Sequence, residues 1–441
     1  MIHPGNFGTA KRTNTLGGLN EEPIEHGLWN GNVQEIRQSP MVPSAYQRHL
    51  LDSEADGPDT SLTFDKDDVR FWSDYNRVYY TPGTMQEIPE PPDRERNWAV
   101  GVDLFRRYNE ESDLMEGSVR LSLEECDTLQ GLQLMSDCDS FGNFTSEFLT
   151  AFKDDYGKTT ALVFAMMSGS AMENGPDASN PQGIKAAMSD ALSLRAYHDL
   201  ASLTIPIQPP PRWGTEAFSD VQNANNVKTN IYYSSAILAT HIETSTLPLR
   251  LGHETLPSFT SRLNWQAPNP FGELLGNFPL SSVSDQRLRN FANFTWPMSR
   301  MEADRYSRVD VTRGLTDNDL RIYDAQHSNL TALQSVVRFH GLPYPLPTSF
   351  PSSLWLENAI SPRPSPQSLP TVKGISSLTT RTTLAPFFKQ YAAFVDDCLR
   401  RKNATALGMG LDLDELREVG NDLWSIHDNY SENDDLSQES M

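Results

Sequence analysis

Clustered metal ligands, positive charge and long apolar runs are all scarce in this sequence, and each shortage removes a class of function. Cysteine occurs three times, as Cys126, Cys138 and Cys398. None forms a C-x-x-C pair, so neither a zinc ribbon nor a thiol redox motif is spelled out, and an odd, sparse count suits a reducing compartment. The nine histidines stand singly, with no H-x-x-x-H pair on a helix. No metal ligand set is assigned. The longest strongly apolar run, Ala161 to Met167, is far too short to span a bilayer, so no transmembrane segment is expected. The first residues read as neither a secretory signal nor an arginine-rich transit helix, which leaves sequons such as Asn293-Phe294-Thr295 with little weight.

Lys and Arg number 36 against 58 Asp and Glu, for a formal net charge of -22. Such a chain repels phosphate backbones and anionic lipid at long range, and direct DNA binding is not expected. The densest basic group, Arg94 and Arg96 with Arg106 and Arg107, is interleaved with Asp93, Glu95 and Asp103. It reads as a solvated loop and helix face.

Core-forming residues, by contrast, are plentiful. The 441 residues are 38% hydrophobic, with 20 Phe and 8 Trp, which is enough for two or three domains. The 30 prolines imply long connections as well. One short helix fits Thr9 to Leu16, an extended polar loop 41–65, and a helix Asp67 to Pro82 with Val69, Trp72, Tyr75, Val78 and Tyr79 at helical spacing. Residues 83–97 read as a Pro- and charge-rich loop, and Val100 to Asn109 as a helix. Ser118 to Thr128 reads as a helix with Val119, Leu123 and Cys126 on one face, and Leu132 to Met135 as a short buried strand. Phe144, Phe148, Ala151 and Phe152 then mark an amphipathic helix stopped by Gly157, and "TTALVFAMM" a second buried strand. Strand, turn, helix, strand is a parallel βαβ unit. Further helices are expected at Ile184 to Leu192, Ile231 to His241, Leu384 to Arg401 and Leu411 to Tyr430.

Chemistry is sought first where a nucleotide-binding fold keeps its phosphate loop, in "DCDSFGNFT" (Asp137 to Thr145). The place suits an anion: a turn after a strand, at a helix N-terminus, where free N–H groups and the helix dipole favour negative charge. The composition does not. One glycine is present, and Asp137 and Asp139 would repel phosphate. The alternative is a capped turn with Ser140 or Asn143 as N-cap. Gly157-Lys158-Thr159 mimics the end of a P-loop, but Phe152 stands where that loop needs glycine, and a strand follows where it needs a helix. "SGSAM" at 168–172 fails as a serine nucleophile elbow. No catalytic residue is assigned.

The block from Glu125 to Met166 resembles the heart of tubulin: Leu129-Gln130-Gly131, Asp155-Tyr156-Gly157-Lys158 and Cys126 match tubulin motifs at nearly the family spacing. Tubulins carry the glycine-rich signature GGGTGSG between them. Here the corresponding loop keeps Gly142 and Thr145 of that pattern. "FGTAKRTNTL", "PSAYQRHL", "VRFWSDYNRVYY", "EECDTLQGLQL" and "YSSAILATHIETSTLPLR" are similar to the Misato family, tubulin-like proteins whose fungal members are mitochondrial inheritance factors. That resemblance implies an α/β, tubulin/FtsZ-like fold, with a Rossmann-like N-terminal domain whose first strand, turn and helix are expected to be missing. It places a nucleotide-domain remnant at 1–245 (with loops 41–65, 83–97 and 168–183), a second mixed domain at 246–360, a mobile linker at 361–383, C-terminal helices at 384–430 and an acidic tail at 431–441.

The loop that would face a nucleotide is Ser140, Gly142, Asn143 and Thr145, and it is degenerate. Tubulin-type hydrolysis also needs an acidic loop after the central helix. In "ETSTLPLRLGHE" the acids are Glu243 and Glu254, without the family's pattern. The resemblance therefore implies a non-enzymatic factor for mitochondrial distribution and mitochondrial DNA inheritance, with no cofactor required and GTP the nucleotide it would admit. It implies protein partners, peripheral association with mitochondria, and a location on the outer surface and in the cytoplasm. The rival readings are a polymerising GTP-binding GTPase and a cytosolic scaffold unrelated to mitochondria.

Overall fold

A computed structural model of the chain describes residues 2–4, 86–88, 97–171, 180–213, 224–264, 269–280, 291–296, 305–327, 335–347, 350–351, 354, 360–361, 369–381 and 384–438. The helices expected at Thr9 to Leu16 and Asp67 to Pro82, the loop 41–65, and Arg94 and Arg96 lie outside them. The chain divides into two compact units, 1–94 with 347–352, and 95–346 with 353–441. In the first, β1 (Ile2–Pro4) pairs in parallel with β2 (Gln86–Ile88), so the expected 83–97 loop contains a strand.

The second unit opens with α1 (Trp98–Ser112), whose Asn97 side chain caps the first turn by accepting from Ala99 N at 3.1 Å. A π-helical turn, Leu114–Val119, runs into the short α2 (Arg120–Glu124). This region departs from the sequence reading. The helix ends at Glu124 and Cys126 is exposed, so no apolar face extends to residue 128.

Then follow β3 (Leu132–Asp137), α3 (Cys138–Tyr156), β4 (Ala161–Met166), α4 (Pro181–Leu200) and β5 (Leu203–Ile207). The three strands form a parallel sheet in the order β3-β4-β5. The unbroken apolar run of β4 is buried on both faces, as a central parallel strand requires. β3 lies at the edge and is not the buried strand expected: Gln133, Met135 and Asp137 are exposed, Met135 by 64%. Gly157 closes α3 with φ 64, a left-handed backbone that favours glycine. α4 begins at Pro181, inside the 168–183 segment read as a loop.

α5 (Ala224–Thr229) leads to the central α6 (Ile231–Ser245), capped by the Asn230 side chain on Tyr232 N. α7 (Leu247–Arg250) and α8 (Leu256–Leu263) follow. The second sheet is built from β6 (Glu273–Asn277), β7 (Ala292–Asn293), β8 (Arg305–Arg313), β9 (Ser335–Gly341) and β13 (Gly374–Arg381), in the order β7-β6-β13-β8-β9. α9 (Asp317–His327) connects the parallel pair β8 and β9, and the other pairings are antiparallel. A three-stranded patch joins β10 (Tyr344–Pro345), β11 (Ile360–Ser361) and β12 (Thr371–Val372). The chain finishes in α10 (Ala385–Arg401), α11 (Ala404–Leu407) and α12 (Leu413–Gln438).

Three expected boundaries need correction. Residues 361–383, read as a mobile linker, supply β13, the middle strand of the second sheet, buried along its whole length. Its Ser and Thr residues look like loop composition, but their hydroxyls are satisfied inside: Ser376 on His241 at 2.8 Å, Ser377 on Asp310 at 2.6 Å and Thr379 on Ser307 O at 3.0 Å. No division falls near residue 245 either. Thr204 of β5 bonds Pro270 and Gly272 at the entry to β6, and His241 of α6 bonds β13, so both sheets belong to one unit. Finally, the helix backbone runs to Gln438, through most of the segment 431–441 read as a tail.

Candidate functional site

The parallel sheet sends its C-terminal strand ends to one edge, where open α/β sheets place their ligands. At the first of those ends β3 stops at Asp137 and α3 starts at Cys138. No loop intervenes to wrap a phosphate. The Asp137 carboxylate is the N-cap, accepting from Asp139 N at 3.0 Å, where Ser140 or Asn143 was expected. An aspartate outcompetes both because it stands one residue before the first helical position and brings a full negative charge to the positive end of the dipole.

The four residues read as a nucleotide-facing loop all lie within the first turns of α3, and they do not converge. Ser140 is exposed. Gly142 is buried against α4: a Cβ there would meet Ser193 Oγ at 2.1 Å and Trp98 at 3.4 Å. Its glycine serves close helix packing. Asn143 Nδ2 donates to Asn97 O at 3.3 Å and Trp98 O at 3.1 Å, tying α3 to the start of α1. Thr145 Oγ1 shares a hydrogen bond of 2.8 Å with Ser136 Oγ, which also accepts from Tyr197 Oη at 3.2 Å. The polar groups of Asn143 and Thr145 are spent on neighbouring elements.

The acids of the segment after the central helix are likewise engaged. Glu243 accepts from Arg250 Nη2 at 3.1 Å and from Tyr344 Oη at 2.8 Å. Glu254 accepts from Arg262 Nη2 at 2.8 Å and Ser258 Oγ at 2.8 Å, bracing the first turns of α8. Neither is presented as a carboxylate awaiting water.

At the end of β4 the sequence reading missed a group. Asp190, on α4, is fully buried and accepts from Ser168 N, Ser168 Oγ and Tyr391 Oη. Burial pushes its carboxyl up to about 7, against the pull of those hydrogen bonds. The signal was present: Asp190 is three residues from Ala187 and four from Leu194 in an apolar helical stripe, a position where an aspartate needs partners. Cys138 lies nearby with its thiol pushed well up by burial, so it is no thiolate nucleophile. His241, on α6, is pushed down to about 3 by burial and stays neutral. Among the described residues no group of three or more His, Cys, Asp or Glu could hold a metal ion, and no helix is long and apolar enough to cross a membrane. Arg106 faces Asp103 at 4.0 Å and Glu147 at 3.8 Å, the mixed-charge surroundings expected of it.

Residues 61–251 match the family model for a tubulin domain. The chain is 30% identical to Protein dml1 of Aspergillus clavatus over 335 residues, which cover 70% of this chain and 63% of that protein. To Protein dml1 of Aspergillus niger it is 26% identical, across 97% of this chain and 84% of the relative. Protein dml-1 of Neurospora crassa is 31% identical, across 59% of this chain and 48% of its own length. The fold is thus α/β and tubulin-like. Within that class the chain is a Misato-like protein, similar to the fungal relatives that carry the Dml1 name.

Proposed function

We propose that this protein is a non-enzymatic tubulin-like factor that acts in mitochondrial distribution and mitochondrial DNA inheritance, from the outer mitochondrial surface and the cytoplasm, through protein partners. Similarity to the Misato family supports the organelle role. The observation that carries the non-enzymatic part is the β3–α3 junction: the strand passes straight into the helix, and the chain's own Asp137 occupies the N-terminus where a phosphate would sit. A net charge of -22 supports action on partitioning over contact with DNA.

Two measurements test the two halves. In equilibrium binding and turnover assays with GTP, the purified protein should show no turnover. Tight binding with hydrolysis would replace this reading with that of a cytoskeletal GTPase. Depletion in cells should lower mitochondrial DNA content and disturb mitochondrial distribution, with tagged protein found on mitochondria. Normal mitochondrial DNA and morphology would leave a cytosolic scaffold.

A further inference from the structure

A buried carboxylate that has no cationic partner among the described residues joins the parallel sheet to the C-terminal helices. Asp190 Oδ1 and Oδ2 lie 3.0 and 3.1 Å from Ser168 N, and Oδ2 lies 2.7 Å from Ser168 Oγ and 3.1 Å from Tyr391 Oη. Ser168 belongs to the turn leaving β4 and Tyr391 to α10, so one side chain on α4 holds both. Among the described residues no Lys or Arg is a hydrogen-bonding partner of Asp190. Arg195, five residues along α4, pairs instead with Asp422 at 2.6 Å and Glu418 at 3.7 Å on α12. The titratable groups that face Asp190 are Cys138 and Asp139 from α3 and Tyr391 from α10.

Beside the same tyrosine stands Gln208, at the end of β5. It is 1% exposed and close enough to Tyr391 to oppose the upward push of burial on that phenol, yet among the described residues neither its Oε1 nor its Nε2 makes a hydrogen bond of full geometry. Gly169 lets the β4 turn approach it: its φ is +70, and a Cβ there would sit 3.4 Å from Gln208 Oε1 and 2.7 Å from Pro209. A buried amide held by so weak a contact is costly, and calls for a second arrangement in which it is fully used.

We propose that Asp190, Tyr391 and Gln208 form a two-position hydrogen-bond switch, thrown by one proton, that sets how firmly α10 is held to the parallel sheet. With Asp190 ionised, the Tyr391 O–H donates to Oδ2 and the Gln208 amide makes only a weak contact with the phenol oxygen. Protonation adds one O–H, taken from solvent, to the carboxyl. That O–H donates to Tyr391 Oη, and the phenol hydrogen turns to Gln208 Oε1. The cluster goes from one negative charge to neutral, and every hydroxyl still donates. Cys138 and Tyr391 are both pushed up by burial and remain neutral. The proton therefore goes to Asp190, whose folded value is about 7 against 3.8 for the ordinary group. A raised folded value means stabilisation that is complete below 3.8 and is lost as pH rises to about 7, after which it changes no further.

Hydrogen exchange across residues 385–401, corrected for the intrinsic pH dependence of exchange, tests this on the full chain. Protection of α10 should fall by about tenfold per pH unit between pH 5 and 7 and level off above, since one unit of differential titration is a factor of ten. Asp190→Asn should flatten that profile. Equal slopes in wild type and variant would overturn the switch. Should the variant fail to fold, the infrared band of the protonated carboxyl in the wild type decides: loss with a midpoint near 7 supports the proposal, and loss complete by pH 5 refutes it. Gln208→Leu removes the second acceptor and should move the midpoint to lower pH. An unchanged midpoint would remove Gln208 from the switch.

Discussion

Buried carboxylates occur near both sheets of the second unit, and they are held in opposite ways. Among the described residues Asp190, beside the parallel sheet, has only hydroxyl and amide donors. In the second sheet Asp310 pairs with Arg308, and Glu273 with Arg381 at 2.8 Å, all four side chains fully or almost fully buried. Ser377 and Tyr323 also donate to Asp310, and Asn293 to Glu273. Burial alone would raise Asp310, but the Arg308 guanidinium and the donors from Ser377 and Tyr323 outweigh it and hold the carboxyl below its usual range. Asp190 responds to a proton near neutrality; Asp310 is held in its charged form. The two buried ion pairs sit on β6, β8 and β13, where they penalise any slip in strand register.

The sharpest way to break that contrast is to remove a cation. Arg308→Met leaves Asp310 charged, buried and short of its main partner. It should cost about 3–5 kcal/mol in denaturant unfolding, the usual loss for an orphaned buried charge. A cost below about 1 kcal/mol would show that the pair is not buried in solution. A smaller effect separates the two carboxylates by pH. Asp310, held low, contributes stability above its unfolded value of 3.8 that is lost as pH falls below it. Asp190, held high, loses its contribution as pH rises toward 7. Relative to wild type, Asp190→Asn should therefore gain up to about 1.4 kcal/mol per pH unit between pH 5 and 7. The acid-side loss should remain in the variant.

How much of this was legible in the sequence follows the same division. The βαβ order was readable because β4 is continuously apolar and α3 repeats Phe144, Phe148 and Phe152 at helical spacing. β13 was not. Ser376, Ser377, Thr379 and Thr380 read as loop, and their partners His241, Asp310, Ser307 and Leu263 lie 67 to 135 residues away. Local composition carries no record of such pairings. The four candidate loop residues were placed at the right helix terminus but given the wrong work, because packing against Ser193, Asn97 and Ser136 cannot be read from spacing. Gly142→Ala tests that assignment. The new methyl would meet Ser193 Oγ, and overpacking of this kind costs about 1–3 kcal/mol, less the helix propensity gained. Adding Ser193→Ala should return most of the loss. A stability unchanged by Gly142→Ala would mean that α3 and α4 are not in close contact there.

The smallest effect bears most directly on the missing phosphate loop. Asp137 is exposed, so its replacement disturbs little packing and isolates its role as cap. Asp137→Ala should cost about 0.5–2 kcal/mol, the range for losing an N-cap side chain. Asp137→Asn keeps the acceptor and should lose only the charge–dipole part, about 0.3–1 kcal/mol. The exposed helix end left by Asp137→Ala also regains its appetite for anions. If the carboxylate stands in for a phosphate, added sulfate or phosphate should stabilise that variant more than the wild type, because the four N-terminal N–H groups are then open to an outside ligand. Equal stabilisation of both proteins would mean that the helix end was never competing for an anion, and that the junction departs from a nucleotide site by more than the loss of its glycines.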